Sequence, residues 1–234
     1  YSEGTEAHLI STLLRHRPDG IVLTSSEHTP AAVERLRAMD TTVVEIWELP
    51  EDPIDVAVGF SNVDAGYAMT RFLHDIGRRR LAYIGGYEGT DLRNRLRHEG
   101  FDKACEELGV WEPPVVPYDR SVQSAAERGA ASMRWILQNC PDVDGVFCVS
   151  DLVAVGAIAE VQRSGKSIPE DIAIAGKGDF EIGNKSGLGI TTIKVPEFEV
   201  GEMAARMIVE RSQGAPKERK VIDLGFDIIR RSTA

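Results

Sequence analysis

Residues 77–109 read GRRRLAYIGGYEGTDLRNRLRHEGFDKACEELG, and this stretch decides the fold. Leu81, Ala82, Tyr83 and Ile84 form a short apolar run closed by Gly85 and Gly86, which suits a parallel strand covered on both faces. Beyond the turn, Leu96, Phe101, Ala104 and Leu108 recur at helical spacing, and Gly109 supplies a stop. Three arginines, Arg93, Arg95 and Arg97, crowd the start of that helix. A cation there opposes the helix dipole, at a cost of about 0.3–1 kcal/mol when exposed. Two readings stay open: a solvated basic face, or a grip on something polar or anionic beyond the strand's carboxyl end.

The same alternation extends in both directions. Upstream, a helix over 5–16 precedes a strand over 19–24 and a helix over 31–39 entered through Pro30. Strands over 41–47 and 55–60 and a helix over 64–76 complete that side. Downstream come a short strand at Val115 and Val116, a helix over 124–139, a strand over 144–150 and a helix starting at Asp151. Strands over 171–176 and 190–195 flank a glycine-rich polar loop; a helix over 196–212 and a closing strand over 221–229 follow. Strands alternating with helices of this length predict parallel sheets with helices on both faces.

Composition sets outer limits. The chain has 234 residues, 42% apolar and 27% charged, with a net charge of −10. No run of about 18 apolar residues is present, so no transmembrane helix is expected, and no signal peptide is read at the start. Cys105, Cys140 and Cys148 are odd in number and lack C-x-x-C spacing, which favours reduced cytosolic thiols over disulfides or zinc. The five histidines are scattered, so no metal site is expected. Nucleophile elbows and phosphate- or dinucleotide-binding glycine loops are missing, and neither catalysis nor a cofactor is expected. The acidic balance lacks the basic footprint of a duplex-binding module, and no helix-turn-helix pattern occurs.

In open α/β sheets ligands sit beyond the carboxyl ends of strands. That rule nominates Thr24 to His28, Trp47 with Glu48, Gly86 with Tyr87, Ser150 with Asp151, Lys177 with Asp179, and Lys194. Hydroxyls, carboxylates, cations and one aromatic make this a polar-ligand site. Bland readings accompany each: Ser150 and Asp151 also suit helix capping, Lys177 also suits solvent, and Trp47 also suits the core.

GRRRLAYIGG followed by RLRHEGFDKACEELG resembles the LacI/GalR transcription regulators, whose effector-binding cores carry a G-H-x-R-I-A-x-I-G-G strand and a helix opening R-x-x-G-[FY]-x-x-A. The resemblance covers essentially the whole chain, and SSEHT (residues 25–29) with VVEIWEL is similar to the gluconate-operon repressor branch. It implies an α/β, periplasmic-binding-protein-like fold of two doubly wound parallel-sheet lobes joined by three crossings. These are expected near 77–80, 194–196 and 217–220. The lobes would then be 1–78 plus 196–218, and 79–194 plus 219–234. It further implies a cytoplasmic homodimer, a small-molecule effector between the lobes, and operator DNA bound by a helix-turn-helix preceding this sequence, which would begin inside the first lobe. Ligand-dependent closure of the lobes would change the spacing of the DNA-binding heads. A periplasmic sugar-binding protein of a transport system shares the fold and is the alternative.

Residue by residue, Arg97 takes the position of the family's cleft arginine, three before the helix glycine, and Asp151 that of a residue bonding ligand hydroxyls or holding the arginine. The family's usual sugar-binding aspartate falls on Gly178, and its usual stacking aromatic on Ser124. Loss of that carboxylate beside Arg97 and Lys177 shifts the expected effector toward a sugar acid, with a sugar phosphate or neutral sugar as alternatives. The expected contacts are Arg97, Arg93, Asp151, Ser150, Thr24, Glu27, Trp47, Lys177 and Lys194.

Overall fold

The computed structural model describes residues 3–86, 92–110, 112–185 and 187–234. The chain runs α1 (Glu3–Arg15), β1 (Gly20–Leu23), α2 (Pro30–Arg37), β2 (Thr42–Ile46), β3 (Val56–Gly59), α3 (Asn62–Asp75), β4 (Leu81–Ile84) and α4 (Leu92–Glu107). It continues through α5 (Ala125–Asn139), β5 (Gly145–Cys148), α6 (Asp151–Arg163), β6 (Ala173–Lys177) and α7 (Glu181–Lys185). The last elements are β7 (Thr191–Lys194), α8 (Glu197–Ser212), β8 (Lys220–Asp223) and β9 (Asp227–Ile229). They form two units, Tyr1–Ser61 with Pro196–Gly225, and Asn62–Val195 with Phe226–Ala234.

In the first unit the sheet order is β1-β2-β3-β8, parallel throughout. Successive side chains of a strand point to opposite faces, so an apolar run serves two layers. In β2, Val43 packs with Ile10, Ile21, Ala32, Leu36 and Ile54, while Val44 packs with Val56, Val58, Val200 and Ala204. The helix α2 starts where the Thr29 hydroxyl accepts the Ala32 N–H at 3.2 Å and Pro30 fills the first helical position.

In the second unit the order is β4-β5-β6-β7-β9, with β4 through β7 parallel and β9 antiparallel to β7. On one face, Ala82, Ile84, Val146, Cys148 and Ile174 pack with Met133, Ile136, Ala157 and Val161. On the other, the Tyr83 ring lies 5.5 Å from Phe101 and 5.3 Å from Phe147, centroid to centroid. Helices α3 and α4 touch backbone to backbone. A Cβ at Gly66 would sit 2.0 Å from the Arg97 carbonyl oxygen, and one at Gly100 would sit 1.9 Å from that of Val63. Only glycine permits that approach.

The structure corrects the sequence reading in four places. Residues 62–78 join the second unit, because α3 packs on α4; the first passage therefore falls at 61/62 rather than near 77–80. The expected closing strand is two strands, β8 in the first sheet and β9 in the second, separated at 225/226. Gly225, at φ +69°, marks the break. Val115 and Val116 form no strand, although Val116 is buried in the core. The short helix α7 interrupts the loop after β6.

Candidate functional site

In the second unit, Arg97 lies in the second turn of α4 and is only 5% exposed. Its Nη1 donates to the Asn62 Oδ1 at 2.6 Å, and its Nε is buried without a hydrogen-bond partner. Among the described residues no carboxylate pairs with it. A guanidinium removed from water is costly unless its charge and donors are met. Asn94, 1% exposed, fixes the start of the same helix against β4. Its Nδ2 donates to the carbonyls of Gly85 (2.8 Å) and Gly86 (3.1 Å), and its Oδ1 accepts the Tyr83 hydroxyl at 2.6 Å. Arg93 is half-buried in the first turn. Tyr87, also nominated, lies outside the described residues.

His98 follows Arg97 and stacks on Tyr83 with centroids 4.5 Å apart. Burial pulls its imidazole down from 6.5 to about 4, and burial raises the carboxyl of Asp102 to about 6. Both groups thus lean toward their neutral forms, although His98 Nε2 and Asp102 Oδ1 are 3.6 Å apart. The thiol of Cys105 is pushed up to about 12 by burial, and that of Cys148 is raised as well, so neither behaves as a thiolate.

Ser150 is the N-cap of α6, its hydroxyl accepting the Val153 N–H at 3.4 Å. Asp151 is fully buried. One oxygen accepts the Thr192 hydroxyl at 2.6 Å and the other the Phe180 N–H at 2.9 Å. Burial raises its carboxyl above the usual range, against the pull of those two bonds. Through these two bonds Asp151 braces β7 and the loop after β6 from inside. Asp179, at φ +56°, pairs with Arg231, whose Nη1 also donates to the Ile190 carbonyl at 2.8 Å. Lys177 ends β6 half-buried, and Lys194 ends β7 exposed, in register with Asp227.

In the first unit, Thr24 and Glu27 are exposed past the end of β1. The buried Glu48 accepts the Ser26 N–H at 2.8 Å and also its hydroxyl. Glu45, buried in β2, accepts the Ile54 N–H at 2.6 Å and lies 3.7 Å from His28 Nε2; burial raises its carboxyl. Trp47 sits at φ +80°, a conformation rare outside glycine. Its N–H donates to the Val58 carbonyl at 3.0 Å, and Gly59 leaves room for the chain, since a Cβ there would lie 2.5 Å from the Glu48 nitrogen. Backbone held in this region collects at ligand sites.

The nominated residues thus gather at the carboxyl edges of the two sheets: Thr24, Glu27 and Trp47 on the first, and Arg93, Arg97, Ser150, Lys177 and Lys194 on the second. Sequence reasoning missed Asn62, Asn94, Glu48 as a brace for Ser26, and Arg231. The strand-end rule applied to β3 would have found Asn62; nothing local in the sequence marks Arg231. Among the described residues no histidine, cysteine and carboxylate cluster fits a metal, and no helix is long and apolar enough to cross a membrane.

Comparison with known proteins places this geometry. Residues 70–234 match the periplasmic binding protein-like domain. The chain is 31% identical over 230 residues to the HTH-type transcriptional regulator GntR of Escherichia coli (strain K12), covering 97% of this chain and 67% of the relative. A crystal structure of a LacI family transcriptional regulator from Silicibacter pomeroyi superposes with a TM-score of 0.86 at 31% identity, covering 100% of this chain and 84% of that one. A complex of the transcriptional regulator CelR with cellobiose gives 0.81 at 26% identity, over 100% of this chain and 71% of that one.

Proposed function

The chain belongs to the LacI family of transcriptional regulators, and from that premise we propose that it senses a small sugar acid, gluconate-like, through Arg97. The observation that carries the reading is the buried guanidinium with a neutral partner and an unmet Nε. A carboxylate is its natural complement, because guanidinium–carboxylate pairs are bidentate and charge-assisted. Lys177 and Lys194, at neighbouring strand ends, make the local field favourable for an anion. Arg93 and Ser150 offer polar contacts at the same edge of the second unit, and Thr24, Glu27 and Trp47 are the candidate contacts on the first unit.

We propose that in the whole protein this sensing core works as a cytoplasmic homodimer acting on operator DNA; the printed name of a relative, an HTH-type transcriptional regulator, supports the DNA-binding part of that reading. Effector alters DNA binding only as far as its affinity differs between the protein's two states, and no turnover is involved. Cellobiose in one relative shows that the fold also takes neutral sugars, so the charge of the effector is the property to test. Calorimetry of the chain with gluconate, glucose 6-phosphate and glucose separates the classes. Gluconate binds most tightly in this reading, and Arg97→Ala costs about 1.5–3 kcal/mol of that binding, the worth of one charged hydrogen-bond partner. Binding of glucose alone, or an Arg97→Ala chain with unchanged gluconate affinity, refutes it.

A further inference from the structure

Arg97 and Asn62 belong to different helices, yet their geometry is fixed. Helix α3 begins at Asn62, and the two glycine contacts at Gly66 and Gly100 lock α3 to α4 at van der Waals distance. Gly66 packs on the carbonyl of Arg97 itself. Asn62 is 2% exposed and Arg97 5%, so water does not mediate between them, and the 2.6 Å bond joins them directly. Arginine carries donors only, so the asparagine must present its oxygen to Nη1.

The chemistry of position 62 then decides what Arg97 has left to offer. An aspartate would meet the guanidinium with a full countercharge and a matching pair of acceptors. Asparagine supplies one neutral acceptor, which answers one N–H and none of the charge. We propose that Asn62 is the specificity-determining residue for an anionic effector: by staying neutral it reserves the positive charge of Arg97 for the ligand's carboxylate. This inference rests on the reading of Arg97 as the effector's anchor. Asn62 acts through Arg97, as a positioning residue, and sets the preference for acid over neutral sugar rather than affinity in general.

The test is calorimetry of the 234-residue chain and its variants with gluconate and glucose, alongside thermal unfolding. Asn62→Asp neutralises Arg97 internally. Gluconate affinity then falls roughly ten- to hundred-fold, the value of a charge-assisted contact, and glucose affinity changes by less than about three-fold, as for a substitution outside its contacts. The unfolding midpoint of Asn62→Asp equals or exceeds that of the parent chain. Asn62→Ser, a neutral acceptor, retains the preference for gluconate, and it carries the test by itself if Asn62→Asp does not fold. Unchanged gluconate affinity in Asn62→Asp, an equal loss for both ligands, or loss of the gluconate preference in Asn62→Ser overturns the inference. If Arg97→Ala abolishes gluconate binding while Asn62→Asp does not, only this inference fails. If Arg97→Ala has no effect, the effector reading itself fails.

Discussion

Replacing Asp151 by alanine tests whether this carboxyl is an internal brace or a ligand contact. The substitution removes the acceptor of the Phe180 N–H and of the Thr192 hydroxyl. An orphaned buried donor costs about 1–3 kcal/mol. The amide has no rotational freedom to find a new partner and bears the larger share. The Thr192 hydroxyl can turn toward the Ile193 carbonyl, 3.5 Å away, a poor replacement. Against these losses stands the release of a carboxyl that burial already disfavours in its charged form. The balance is a loss of about 2–4 kcal/mol. For a chain of this size each kcal/mol moves the midpoint by about 2–4 °C, so thermal denaturation followed by circular dichroism shows a drop of roughly 4–16 °C. Asp151→Asn keeps one acceptor and shows a smaller drop. A midpoint that does not move in Asp151→Ala, together with a large loss of effector affinity, refutes the brace and restores Asp151 to the ligand.

Further outcomes concern α3 and α4. Gly100→Ala drives a methyl into the Val63 carbonyl, 1.9 Å from the ideal Cβ position, so α3 and α4 separate and stability falls by about 1–3 kcal/mol or more in urea unfolding; a neutral substitution contradicts the close crossing. His98 titrates near 4 in the folded chain, which its ring-proton shifts report by NMR, and a midpoint at or above 6.5 contradicts its burial against Tyr83. The unfolded state takes up that proton first as pH falls, so stability is full above about 6.5 and declines toward pH 4, by about 3 kcal/mol at roughly 1.4 kcal/mol per unit. Asp102, half-exposed and raised to about 6, acts in the opposite sense between its ordinary value and 6 and flattens that decline.

Much of the fold was legible because its signals are local. The runs Val43–Val44 and Leu81–Ile84 are apolar on both faces, and both faces are covered. What failed was long-range. No local pattern says that Asn62–Asp75 packs on α4 rather than on the sheet before it; the cause is a pair of glycines, 66 and 100, matched across 34 residues of chain. The closing strand read as continuous because apolar residues recur from Val221 to Ile229, broken only by Asp223, Gly225 and Asp227, while Gly225 divides it between two sheets. At the candidate site, strand ends nominate the carboxyl edges but do not say which way a side chain turns. Asp151 and Arg97 are both polar, near strand ends and on helices. One has both oxygens occupied from within and the other retains an unmet donor.

That difference bears on how an acidic chain can hold an acid. A net charge of −10 repels an anion at long range, but salt shortens that repulsion to about 8 Å at physiological ionic strength. Exposed cations such as Lys194 are screened by the same ions. A guanidinium at 5% exposure is not, and its field acts at close quarters through a medium less polarisable than water. Under the proposed reading, selectivity for an anion resides in Arg97, which salt reaches little. In that reading it survives there because the acceptor of its Nη1, Asn62, brings no charge.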